Sequence, residues 1–105
     1  MKILAVERPL PAPDPAAYTP ALLEAEARRA WELYQAGTLR ELYFRADRVE
    51  AVLLLECDST EAAEAALATL PLVAAGLVAF DLIPLLPYPG FARLFTPSPE
   101  HPPQP

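Results

Sequence analysis

From Leu39 to Cys57 the chain reads LRELYFRADRVEAVLLLEC. Two β-rich runs, Leu39 to Ala46 and Val49 to Cys57, flank Asp47-Arg48, a pattern that predicts a hairpin. Pairing Arg45 with Glu50 across the turn sorts the side chains into two faces, because successive residues of a strand point to opposite sides. One face then carries Arg40, Leu42, Phe44, Ala51, Leu53, Leu55 and Cys57. The other carries Leu39, Glu41, Tyr43, Arg45, Glu50, Val52, Leu54 and Glu56. The first is the more apolar and is expected beneath helices, with Arg40 as its only charge.

The flanks of the hairpin supply those helices. Upstream, Thr19-Pro20 reads as an N-cap followed by proline at the first helical position, and Gly37 stops a helix ending at about Ala36. Downstream, Asp58 and Glu61 have the spacing of a capping box, and that second helix ends before Pro71. Lys2 to Val6 and Val78 to Leu86 read as outer strands, with Pro84 placing the last at a sheet edge. The order β-α-β-β-α-β is the ferredoxin-like α+β plan: one antiparallel sheet with two helices on one face. It occupies residues 1–95 as a single domain. Residues 96–105 form a Pro-rich tail expected to be disordered. The uncovered sheet face implies a homodimer or a higher multiple. Pro9, Pro11, Pro13 and Pro15 predict an extended, stiff loop over residues 8–19, serving as a pocket rim.

Composition narrows the chemistry. The 105 residues carry a net charge of −6, which repels phosphate backbones and argues against a nucleic-acid partner. A hydrophobic content of 53% excludes global disorder. No apolar run reaches the ~18 residues that a membrane span needs. The N-terminus is charged too early for a signal peptide. A lone Cys57 forbids an internal disulfide, and a cytoplasmic location is expected. The single histidine, His101, lies in the tail, which removes a His/Cys zinc site, a histidine-held haem and a histidine-based triad. No metal ligand set and no cofactor are expected. Carboxylates, arginines and tyrosines must carry any reaction.

On a helix over 20–36, Leu22, Leu23, Ala27, Ala30, Trp31, Leu33 and Tyr34 share one half. Glu26 is the only charge within that half, as Arg40 is on the sheet face opposite. Two readings follow. Glu26 and Arg40 form a structural ion pair, or Glu26 is an acid–base carboxylate with Arg40 holding an oxyanion. Tyr34 is a candidate donor and Trp31 a candidate wall of a substrate pocket.

The segment Gly37-Thr38-Leu39-Arg40-Glu41-Leu42-Tyr43, the later Leu70-Pro71-Leu72 and the closing Pro87-Tyr88-Pro89 resemble the muconolactone Δ-isomerase family of the dimeric α+β-barrel superfamily. The resemblance covers about residues 20–90 and implies an obligately paired ferredoxin-like fold, in the isomerase assembled into a ring-like decamer. It implies a cofactor-free shift of a double bond in an unsaturated lactone, with a small organic ligand as the other partner. Glu26 and Arg40 fall on a Glu and an Arg of the family pattern. Tyr88-Pro89 departs from a His–Pro, and Phe44 replaces a second basic residue. A non-catalytic binding or assembly protein and a cofactor-free aromatic polyketide cyclase or monooxygenase are the alternatives on this fold.

Overall fold

The computed structural model describes residues 1–8, 10–11 and 14–95. The tail at 96–105 and part of the proline loop, including Pro9 and Pro13, lie outside the described residues. Four strands form one antiparallel sheet: β1 Lys2–Arg8, β2 Leu39–Phe44, β3 Ala51–Glu56 and β4 Ala79–Pro84, in the order β2-β3-β1-β4. Helices α1 Pro20–Gln35 and α2 Thr60–Leu67 make the two crossovers, completing the ferredoxin-like α+β order. Ile3, Ala5, Leu53 and Leu55 alternate inward from the central strands and meet Leu33, Ala63, Leu67 and Leu70 in the core. Pro84 closes β4, an edge strand, where its missing N–H costs no ladder bond.

Helix α1 forms where its signals place it. Thr19 is extended at φ −72°, ψ 154°, and its side-chain oxygen accepts the Leu22 N–H at 3.1 Å. Gly37 ends the helix at φ +80°, a left-handed conformation that a side chain resists. Thr19→Ala should cost about 1 kcal/mol, lowering the melting temperature by roughly 4–8 °C in a domain of this size. Calorimetry showing no shift would mean that Pro20 and packing alone hold this helix end.

Two local expectations are corrected and one element is added. The cap of α2 is Ser59, one residue beyond Asp58, and its side chain accepts the Ala62 N–H. The proline loop is not uniformly extended: Asp14 caps a 3₁₀ turn over Pro15–Ala17. A further short helix, α3 Pro71–Ala74, follows Leu70, with Pro71 at its first position.

The largest correction concerns the hairpin. The turn register is the expected one: Phe44 faces Ala51, and the Arg45 N–H donates to the Glu50 carbonyl at 2.9 Å. Further along, Leu39 faces Leu55 whereas Glu41 faces Leu54, so Arg40 is the extra residue of a β-bulge. The bulge turns Leu39 into the core, where it is 1% exposed, and takes Arg40 off the apolar face. Burying a leucine in place of a guanidinium is the physical reason.

The outer sheet face keeps Leu4, Val6, Tyr43, Val52, Leu54 and Ile83, and both long helices pack on the other side, so among the described residues no helix covers it. Beyond β4, Leu86, Tyr88, Phe91, Leu94 and Phe95 are all exposed. Tyr88 and Phe91 pack edge to face at 5.1 Å, and Gly90–Leu94 forms a 3₁₀ turn. At Gly90 an added Cβ would collide with the Tyr88 ring.

Candidate functional site

A cavity of about 390 Å³ lies between α1 and the sheet. It is within the size range of small-molecule sites. Leu23, Ala27 and Ala30 of α1 form its roof, with Leu42, Phe44 and Leu53 of the hairpin below. Its mouth is at the β2 edge, where Leu23, Leu42 and Phe44 are exposed. The walls are apolar apart from Tyr43 and two carboxylates, Glu26 and Glu7.

Glu26 stands on the inner stripe of α1, between Leu22 and Ala30, and is half-buried. Its Oε1 accepts the Leu72 N–H at 2.9 Å, satisfying one of the open donors at the start of α3. Its Oε2 has no hydrogen-bond partner among the described residues. Burial raises the Glu26 pKa above its ordinary 4.5, and the Leu72 N–H, which favours the charged form, opposes this only in part. A carboxylate in this state is a stronger base than one in water and is poised to pick up and release a proton.

Arg40 is not brought to Glu26. Its Nε donates to the Gly37 carbonyl at 2.6 Å, and its guanidinium lies over Gly37. Its charge is felt at Glu56, whose pKa is lowered first by a hydrogen bond from the amino terminus and to a lesser degree by Lys2 and Arg40. No ion pair or hydrogen bond joins Arg40 to Glu26 among the described residues, so the expected pair does not form within the protomer. The β-bulge is the cause. Arg40→Leu should therefore leave the titration of Glu26 in place, readable from its carboxyl carbon by NMR. A clear upward shift would restore the pairing.

Trp31 and Tyr34 do not line the cavity either. Their rings stack at 5.7 Å, and they are 57% and 48% exposed. At 100° per residue Trp31 sits about 140° around the helix from Glu26, beyond the roof residues, whereas Tyr34, at about 80°, shares their arc but lies one turn past Ala30, near the end of α1. The apolar half of α1 is wider than its buried stripe. None of the described loop residues lines the cavity; Tyr18 instead reaches the Leu77 carbonyl at 3.4 Å, so the rim role is not supported there. Cys57 packs against the core, and burial pushes its thiol pKa up.

Sequence reasoning missed α3 and Glu7. The signal for α3 was Leu70-Pro71, with proline at a first helical position. Glu7 lay at the end of an apolar run and gave no pattern of its own; only the sheet brings it to the cavity, with its Oε1 accepting the Ala51 N–H at 3.1 Å. Among the described residues no cluster of three His, Cys, Asp or Glu is placed to hold a metal ion. Among the same residues no helix is long and apolar enough to cross a membrane.

Comparison with known proteins agrees with this geometry. Residues 4–90 match the family model of muconolactone delta-isomerase. The crystal structure of muconolactone isomerase superposes with a TM-score of 0.69 at 27% sequence identity, covering 85% of this chain and 92% of that one. No match was found among curated protein sequences.

Proposed function

From the premise that the chain belongs to the muconolactone delta-isomerase family, we propose that it is a cofactor-independent isomerase of a small unsaturated lactone or related carbonyl compound. The observation that carries this is Glu26: a carboxylate with raised pKa in the wall of an open apolar cavity, with one oxygen unengaged among the described residues. In a β,γ-unsaturated lactone the α C–H bond breaks, its proton passes to Glu26 and the electron pair spreads over a dienolate. Glu26 then returns the same proton at the γ carbon, which moves the double bond into conjugation. No electrons enter or leave, and one shuttling carboxylate suffices. Turnover of a γ-methyl butenolide by wild type and its loss in Glu26→Gln is the test.

The site assembles in an oligomer in this reading. The open sheet face and the exposed apolar arm after β4 both suit a second copy of the chain, and a homodimer or higher multiple covers them. A charged, acidic surface and a single half-buried thiol fit a protein of the cytoplasm.

A second reading has one observation in its favour. The Leu72 N–H bond makes Glu26 a cap for α3, a structural duty that a non-catalytic binding protein of the same fold would share. Glu26→Gln keeps an acceptor oxygen for that bond, so absence of turnover in wild type, with the substitution changing stability alone, would favour this reading.

A further inference from the structure

We propose that the cavity selects uncharged ligands, and that Glu7 is the residue that excludes anions. This deepens the proposed function and rests on the reading that the cavity is the substrate site. Of the ionisable side chains that line it, Glu26 and Glu7 are carboxylates, and no lysine or arginine joins them among the described residues. Glu26 approaches from the helix roof and Glu7 from the end of β1 in the sheet. The cations lie elsewhere: Arg28 and Arg29 pair with Glu24 and Glu32 on α1, Arg45 and Arg48 with Asp47 and Glu50 at the hairpin turn, Lys2 with Glu56, Arg8 with Asp81 and Arg40 with the Gly37 carbonyl, while Arg93 stands on the turn after β4.

An anionic ligand entering this cavity gives up its hydration to apolar walls and meets no counter-charge among the described residues of the protomer. It also faces like charges at short range in a medium of reduced dielectric. Glu7 is held in place rather than free to swing clear. Its Oε1 accepts the Ala51 N–H just beyond the last β1–β3 pair, Val6 with Val52. Its charge is therefore a fixed part of the cavity, and the ligand is a neutral carbonyl compound, such as a lactone bearing an alkyl rather than an acid side chain. Phe44 and Leu42 give such a ligand apolar contact at the mouth.

The experiment uses two saturated γ-lactones, which cannot isomerise, one with a methyl and one with an ionised carboxymethyl substituent. Binding is read by calorimetry at pH 7.5 on the full chain. Wild type should bind the methyl lactone at least tenfold more tightly than the acid, and Glu7→Gln, which keeps an acceptor for Ala51, should narrow the gap to threefold or less. Raised ionic strength should narrow the wild-type gap in the same direction, which tests the charge without any variant. Equal or tighter binding of the acid by wild type would overturn the proposal. So would a gap untouched by both Glu7→Gln and salt, or binding of neither lactone at millimolar concentration. Failure of the catalytic reading looks different: selectivity holds, but the butenolide is not turned over. Turnover without selectivity would sink only the present inference.

Discussion

Glu26→Gln should lower turnover of a γ-methyl butenolide by about 10²–10⁴-fold, the range a positioned general base supplies, while leaving the protein folded. The amide keeps the length and shape of the side chain and an oxygen for the Leu72 N–H, and loses the ability to take a proton. The pH profile should carry the same signature. Because burial raises the Glu26 pKa above 4.5, the active ionised form is gained only as pH climbs through that raised value, so the acid limb of kcat/KM lies higher than for an ordinary glutamate. Stability runs the opposite way. A carboxyl whose folded pKa is raised contributes stability that is fully present below its unfolded pKa and is lost as pH rises through the folded one. Glu26→Gln mimics the protonated form and should be at least as stable as wild type at neutral pH, with the advantage vanishing in acid. A variant that keeps full turnover would remove Glu26 from the chemistry. One that unfolds at neutral pH would make its role as the cap of α3 the dominant one.

Truncation after Pro87 should dissociate the assembly and lower the melting temperature by about 8 °C or more, whereas truncation after Thr96 should leave both unchanged. The missing segment holds Phe91, Leu94 and Phe95, which are 68%, 75% and 83% exposed in the protomer. Side chains of this size contribute about 1.5–3 kcal/mol each once fully buried, so in the proposed oligomer their value is realised against a second copy. The protomer by itself loses little when they are removed. The effect must therefore depend on protein concentration, and sedimentation over a hundredfold range of concentration reads it directly. Equal melting of the two truncations at every concentration, or a folded wild-type monomer at micromolar concentration, would show that the arm and the outer sheet face have no partner in the same chain.

How much of this was written in the sequence depends on the range over which each signal acts. The α1 boundaries, the turn register and the edge position of β4 rest on local chemistry: a threonine cap before a proline, a glycine at positive φ, a four-residue turn between Arg45 and Glu50 and a proline that lacks a donor. Each is decided by neighbours a few residues away, so the chain by itself determined the ferredoxin-like order. Glu26 was legible for a related reason, since a single charge inside an apolar helical stripe stands out whatever packs above it.

Tertiary structure decided the rest. Alternation along β2 assigned Arg40 to the core face, but the sheet accommodates a bulge that exchanges it for Leu39. That choice sets the burial of a leucine against the desolvation of a guanidinium, and it is made by the layer above the strand rather than by the strand. The same holds for Trp31 and Tyr34, apolar enough for the core yet left exposed, Trp31 by its angle around α1 and Tyr34 by its place near the helix end. Glu7 is the converse case: unremarkable in its own segment, it enters the cavity because β1 lies beside β3, whose Ala51 N–H it accepts from a position 44 residues earlier in the chain. The pattern of side chains along an element tells which residues can be buried together, and only the packed layers determine which charges share a cavity.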